Sequence, residues 1–154
     1  MGMPIEVEIV GEPIRDKDGI AAVFDYFKYV DDKFSTYKKT SEITEINNGE
    51  IEKKDWSEDM KEIFALAEET KSLTFGYFDI LDSDGKYDPS GLVKGWAIYN
   101  ASLILEKDGF KNFYIDAGGD IQAKGKNGEG NDWRIGIRSP FNEKEIIKVV
   151  FSLK

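Results

Sequence analysis

Asp88-Pro89-Ser90-Gly91-Leu92-Val93-Lys94-Gly95 is a glycine-containing loop that opens into apolar helical spacing. Free N–H groups and the helix dipole make such a junction an anion site, to which Lys94 adds a positive charge. The same residues serve as a plain helix entry, with Asp88 or Ser90 as the cap and Pro89 presetting the first φ. A second segment is Asp116-Ala117-Gly118-Gly119-Asp120. Paired glycines allow positive φ and close backbone approach to a ligand, and the flanking aspartates can take a hydroxyl or a metal. An ordinary hairpin turn asks for Gly-Gly on the same conformational grounds. Asp79, Asp82, Asp84 and Asp88 form an acidic series, but the glycine of Asp82-Ser83-Asp84-Gly85 falls too early for an EF-hand, and no Glu closes the loop. They read as solvated loop carboxylates. Tyr77-Phe78, beside Gly76, offers rings either to a planar ligand or to the core.

What is absent narrows the chemistry. The 154 residues include no histidine and no cysteine, which removes Ser-His-Asp and Cys-His catalysis, disulfides and the usual zinc ligands. Any metal has to be held by oxygen, which suits Mg²⁺ or Ca²⁺. Thirty acidic against twenty-one basic residues give a net charge of −9, which argues against nucleic acid or an anionic membrane as the main partner. No apolar run approaches the roughly 18 residues of a membrane span, and no basic segment followed by an apolar one opens the chain. The default placement is therefore cytoplasmic.

The elements that must position these residues follow from periodicity. Ile5, Val7 and Ile9 alternate with glutamates, which predicts a half-buried strand. From Asp18 to Phe34 apolar residues recur every three or four positions, an amphipathic helix. Ser41 caps a short helix through Ile46, stopped by Asn47-Asn48-Gly49, and Ser57 caps another through about Leu73. Thr74 to Gly91 is dense in Gly, Asp and Ser and reads as an extended connection. A third long helix runs from about Ser90 to Lys107, with Gly109 as its stop. The period then switches to two, predicting strands at Phe113–Ile115, Ile121–Ala123, Trp133–Ile137 and Ile146–Leu153. The expectation is one α+β domain over residues 1–154, its helices packed on a mainly antiparallel sheet. The last residues, Val149 to Lys154, read as a strand interior. That predicts an edge strand, a strand pairing with a second copy, or a domain incomplete at its C-terminus.

Each segment alone is weak, but six in order resemble one family. Met1-Gly2-Met3-Pro4, Phe34-Ser35-Thr36-Tyr37-Lys38 with Ser41-Glu42-Ile43 and Ile46-Asn47, Gly76-Tyr77-Phe78-Asp79-Ile80, Asp88 through Ala97, Tyr114 through Ile121, and Trp133 through Pro140 together make the chain similar to the ApbE-type FAD:protein FMN transferases, formerly described as thiamine biosynthesis lipoproteins. The resemblance implies binding of FAD and Mg²⁺-dependent transfer of its FMN half to a Ser or Thr hydroxyl of an acceptor protein, with release of AMP. It places Met1 and Tyr37 along the flavin pocket, Tyr77, Phe78, Asp79 and Asp88 on FAD, Lys94 near the phosphates, and the Gly91 carbonyl on the metal. Asp116 to Asp120 would shape the pocket. The chain departs from the family in two ways: the stretch between Asp79 and Asp88 is short, and the family's later metal ligands, an Asp and a Thr, have no counterpart here. Gly91 alone cannot supply the six oxygens Mg²⁺ takes. A reduced member that binds flavin without chemistry, or one that dimerises through the terminal strand, is the alternative expectation. Many relatives are exported lipoproteins, whereas this sequence has no lipid-bearing Cys.

Overall fold

A computed structural model describes residues 2–11, 13–142 and 145–151, without the side chains of 13–16 and 151. The chain folds as two compact units, one built on Asp25–Ala97 and the other on Met3–Phe24 with the chain from Ile98 on. In order, the elements are β1 (Ile5–Ile9), α1 (Pro13–Phe34), α2 (Glu42–Asn47), a 3₁₀ turn (Lys53–Asp55), α3 (Glu58–Leu73), α4 (Ser90–Lys107), β2 (Phe113–Ala117), β3 (Asp120–Lys124), β4 (Arg134–Arg138) and β5 (Ile146–Phe151). The α+β expectation holds. None of the described helices is long and apolar enough to cross a membrane.

The first unit is helical. Val30, Ile43, Met60, Ile63 and Ala97 are its most buried apolar residues, each on the inward stripe of its helix. Both serine caps form. Ser41 Oγ accepts the Thr44 N–H and Ser57 Oγ accepts the Met60 N–H, each at 3.3 Å. Ser41 is fully buried, and its hydroxyl donates to the Ser35 carbonyl at 2.7 Å, so one side chain both starts α2 and closes the loop before it. Glu42 accepts the Ser57 N–H and hydroxyl at 2.7 Å each, tying the start of α2 to the start of α3. Lys33 joins them at 3.1 Å from Asp59, which also accepts the Tyr29 hydroxyl.

α1 starts at Pro13, a turn and a half before the expected Asp18. The apolar spacing begins only at Ile20, whereas proline at the first helical position costs no hydrogen bond and presets φ. Gly19, in α1, stands close to Phe110 and Ile9. A Cβ there would stand 2.6 Å from the Phe110 ring and 3.0 Å from Ile9 Cδ1, so a larger residue would force those side chains to move.

The second unit carries two antiparallel sheets: β1-β2-β3, and β4-β5 apart from it. The four strands expected late in the chain form, the last described as far as Phe151 with residues 152–153 of the expected strand outside the described residues, but the N-terminal strand joins only the first pair. β1 pairs with β2 from Ile5↔Ala117 to Ile9↔Phe113, and β2 buries Phe113, Ile115 and Ala117 completely on one face. Trp133, expected inside a strand, lies just before β4. Its Nε1–H donates to the Lys124 carbonyl at 3.0 Å and its ring stacks on Tyr114 with centroids 5.5 Å apart.

Candidate functional site

The residues from Tyr37 to Lys94 that the sequence singles out all belong to the first unit; Met1 lies outside the described residues. The segment between α3 and α4 is short but built. α3 ends with the Gly76 N–H bonded to the Lys71 carbonyl at 2.8 Å and the Phe75 N–H to Ser72 at 3.2 Å, the two bonds of a Schellman cap. Thr74 Oγ1 donates to the Thr70 carbonyl at 2.8 Å and accepts the Phe78 N–H at 3.1 Å, which locks the turn that follows. Leu81 and Tyr87 then bridge across a tight turn with Gly85 at φ 76°, and the Asp88 N–H reaches the Ile80 carbonyl at 2.7 Å. Asp79–Ile80 and Asp88 are thus brought side by side.

Asp88 makes the helix-entry contact: its Oδ1 accepts the Ser90 N–H at 3.0 Å, with Pro89 buried behind it. Gly91 lies in the first turn of α4 against the Phe78 ring, and a Cβ there would come within 3.2 Å of that ring. Lys94 stands one turn further along, partly buried. Tyr77 and Tyr37 are each 96% exposed, and the Tyr37 side chain makes no hydrogen bond, ion pair or ring contact among the described residues. Phe78 and Gly91 therefore meet, and the Asp88 backbone lies beside that of Ile80, while Tyr37 is linked to them by no such contact.

Asp79 is held by the Lys71 ammonium at 2.6 Å. That contact, with the Leu81 N–H beside it, keeps its carboxyl below the usual carboxylate range and raises Lys71 in turn. The acidic series behaves as expected of loop carboxylates: Asp82 Oδ1 accepts the Asp84 and Lys86 N–H groups at 2.9 and 2.8 Å. No group of three or more Asp or Glu that could hold a metal occurs among the described residues. The Gly91 carbonyl is one oxygen in a helical turn and by itself does not supply the six that Mg²⁺ takes.

One positioning residue escapes sequence reading. Asn47 donates from Nδ2 to the Tyr87 carbonyl at 2.9 Å and accepts the Tyr87 N–H at 2.8 Å, so it substitutes for a β partner of the loop that carries Asp88. In sequence Asn47-Asn48 reads as a helix stop, and Ile46-Asn47 belongs to a family-like segment that assigns Asn47 no role. The Tyr87 ring packs edge-on against Phe64, which meets Trp56 with centroids 4.4 Å apart, beside a cleft of about 570 Å³ also lined by Lys71 and Asp79.

Asp116 to Asp120 takes the turn alternative. Gly118 and Gly119 have φ of 59° and 92°, as a two-residue hairpin with both centres left-handed requires, and Asp116 Oδ1 accepts the Gly119 N–H at 2.7 Å. The turn borders the larger cleft, about 1010 Å³, in the second unit, which Tyr114, Arg134 and Arg138 also line and which contains none of the residues from Tyr37 to Lys94. Burial, then the charge of Asp116 and a hydrogen bond to it, push the Tyr114 phenol up to about 12. Folding favours the neutral phenol, so its contribution is complete below the ordinary value of 10.0 and lost as pH rises towards about 12. Denaturant titrations across that window should show a decline that Tyr114→Phe makes shallower; identical slopes would refute the assignment.

An α+β protein with a locked aromatic turn beside a capped helix entry is what fold and site define. The chain belongs to the ApbE family, whose model matches residues 1–84 and 81–154. It is similar to the FAD:protein FMN transferase of Vibrio cholerae serotype O1, 32% identical over 63 residues that make up 41% of this chain and 19% of that protein. It is also similar to the FAD:protein FMN transferase of Haemophilus influenzae, 40% identical over 53 residues, 34% of this chain and 15% of that one. Among solved structures, the ApbE protein of Thermotoga maritima superposes with a TM-score of 0.85 at 19% identity, covering 98% of this chain and 64% of that one. The flavin transferase ApbE of Vibrio cholerae does so with a TM-score of 0.80 at 20% identity, covering 99% and 64%. The chain thus spans under two thirds of these structures, and at that identity the likeness is one of fold.

Proposed function

We propose that the protein binds FAD and acts as an FAD:protein FMN transferase. The observation that carries this reading is the family match along the whole chain, and the meeting of Phe78 with Gly91 beside the Asp88 helix entry supports it. In this reading Tyr77 and Tyr37 offer open ring faces to the flavin or adenine, and the Phe78 ring walls the start of α4. Asp88 takes a hydroxyl or polar ring edge of FAD through the carboxylate oxygen that Ser90 leaves unused, and Lys94 faces the phosphates. The hydroxyl oxygen of an acceptor Ser or Thr attacks the FMN phosphorus and gives up its proton to water, the bond to the AMP oxygen breaks, and AMP leaves with that electron pair. Such a transfer rests on positioning and charge neutralisation more than on a covalent nucleophile, which suits a chain without His or Cys. No step is assigned to Mg²⁺, since no group of three or more carboxylates that could hold a metal occurs among the described residues.

A second reading is a flavin-binding module without chemistry. A homodimer through β5 remains a proposal, on a strand whose Ile146 and Ile147 are 50% and 57% exposed.

Titration with FAD, with and without Mg²⁺, followed by flavin fluorescence and an assay for AMP in the presence of a Ser/Thr acceptor peptide, separates the readings. Transferase activity predicts saturable binding and AMP release. Binding with no AMP under either condition leaves the module, and no binding refutes both. Asp88→Ala should weaken FAD binding about tenfold, as loss of a charge-assisted hydrogen bond does; unchanged affinity would remove Asp88 from the site.

A further inference from the structure

Phe75 is in the wrong place for a residue that serves only the fold. It occupies the C′ position of the Schellman cap with φ of 54°, the one non-glycine residue in the left-handed region among those described. Glycine is usual there because a Cβ is penalised, and Gly76 stands immediately after it. A strained side chain is ordinarily compensated by burial, yet Phe75 is 93% exposed. The apolar contact that often accompanies this cap, between the residue after C′ and the last helical turn, is also missing, since that residue is Gly76. Neither backbone geometry nor packing accounts for an aromatic side chain at this position.

What surrounds it does. The turn is rigid: the bonds from Phe75 and Gly76 back to α3, the Tyr77 N–H to the Thr74 carbonyl at 3.1 Å, and the Thr74 hydroxyl between Thr70 and Phe78 hold all four residues. Phe75 and Tyr77, 93% and 96% exposed, are thus two open rings set on a fixed scaffold and separated by one glycine. Phe78, next along, lies against Gly91. Strain held at an exposed position on a preorganised turn marks a binding function, because ordering losses on association are smallest there.

We infer that Phe75 is a binding residue of the same site, which with Tyr77 presents aromatic surface to a planar ring of the dinucleotide. The inference rests on the FAD reading above. Phe75→Gly separates a binding role from a structural one, because the two move in opposite directions. Relief of strain should raise Tm by about 2 °C, while loss of the ring should weaken FAD binding roughly tenfold. Phe75→Tyr keeps the ring and should restore wild-type affinity. Unchanged FAD affinity in Phe75→Gly, or weakening that Phe75→Tyr does not restore, would overturn the inference while leaving the FAD reading in place. A fall in Tm would overturn the strain argument on which it stands. If the wild-type chain does not bind FAD, the functional reading fails and the inference with it.

Discussion

Gly125→Ala is expected to destabilise the second unit by about 3 kcal/mol and to lower Tm by about 10 °C. Two effects add. Gly125 has φ of 68°, where an L side chain is strained by about 1 kcal/mol. A Cβ would also stand 2.3 Å from the Lys111 carbonyl oxygen and 2.2 Å from Asn112 Oδ1. The Asn112 amide is not free to swing away, since its Oδ1 accepts the Lys126 N–H at 2.9 Å. Lys111 is backbone, and moving it displaces the start of β2, where Phe113 is fully buried. Urea titration should show a lower midpoint with an unchanged slope. A loss below about 1 kcal/mol would mean that the connection from β3 yields more easily than its contacts imply.

The second large effect is expected at Asn47. Removing its side chain in Asn47→Ala leaves the N–H and the carbonyl of Tyr87 without their partners, at about 1–1.5 kcal/mol each, or about 2–3 kcal/mol together. The loop it holds carries Asp88, whose N–H bonds Ile80 and whose carboxylate meets Ser90. FAD affinity should therefore fall along with stability. Asn47→Asp preserves the acceptor for the Tyr87 N–H but sets a carboxylate against the Tyr87 carbonyl, so it should recover little of either. Chemical denaturation and FAD titration of the same variants test the link. Full FAD affinity in a destabilised Asn47→Ala would show that this loop does not position the site.

The contrast between these two residues shows where sequence reading stops. Ser41 and Ser57 were legible because each cap acts on a backbone N–H three residues away. The Gly118-Gly119 turn was legible for the same local reason, and the alternation through β1 and β2 marked one face of each, half-buried in β1 and buried in β2. The order of the site segments was also readable, since it lies in the chain itself.

Asn47 was not, because its partner lies 40 residues on and nothing in Asn47-Asn48-Gly49 distinguishes a loop anchor from a helix stop. Phe75 read as one more residue of a loop, since the strain there belongs to a φ value and not to a residue type. The meeting of Phe78 with Gly91, and the separation of β4-β5 from β1-β2-β3, likewise needed tertiary structure. Caps, turns and periods are written in neighbours within about one turn or one hairpin, so the sequence alone determined the elements, their α+β class and the family's segments. Which side chains meet, and which ring is left strained and open to solvent, depends on closing long loops, and only the tertiary structure decided it.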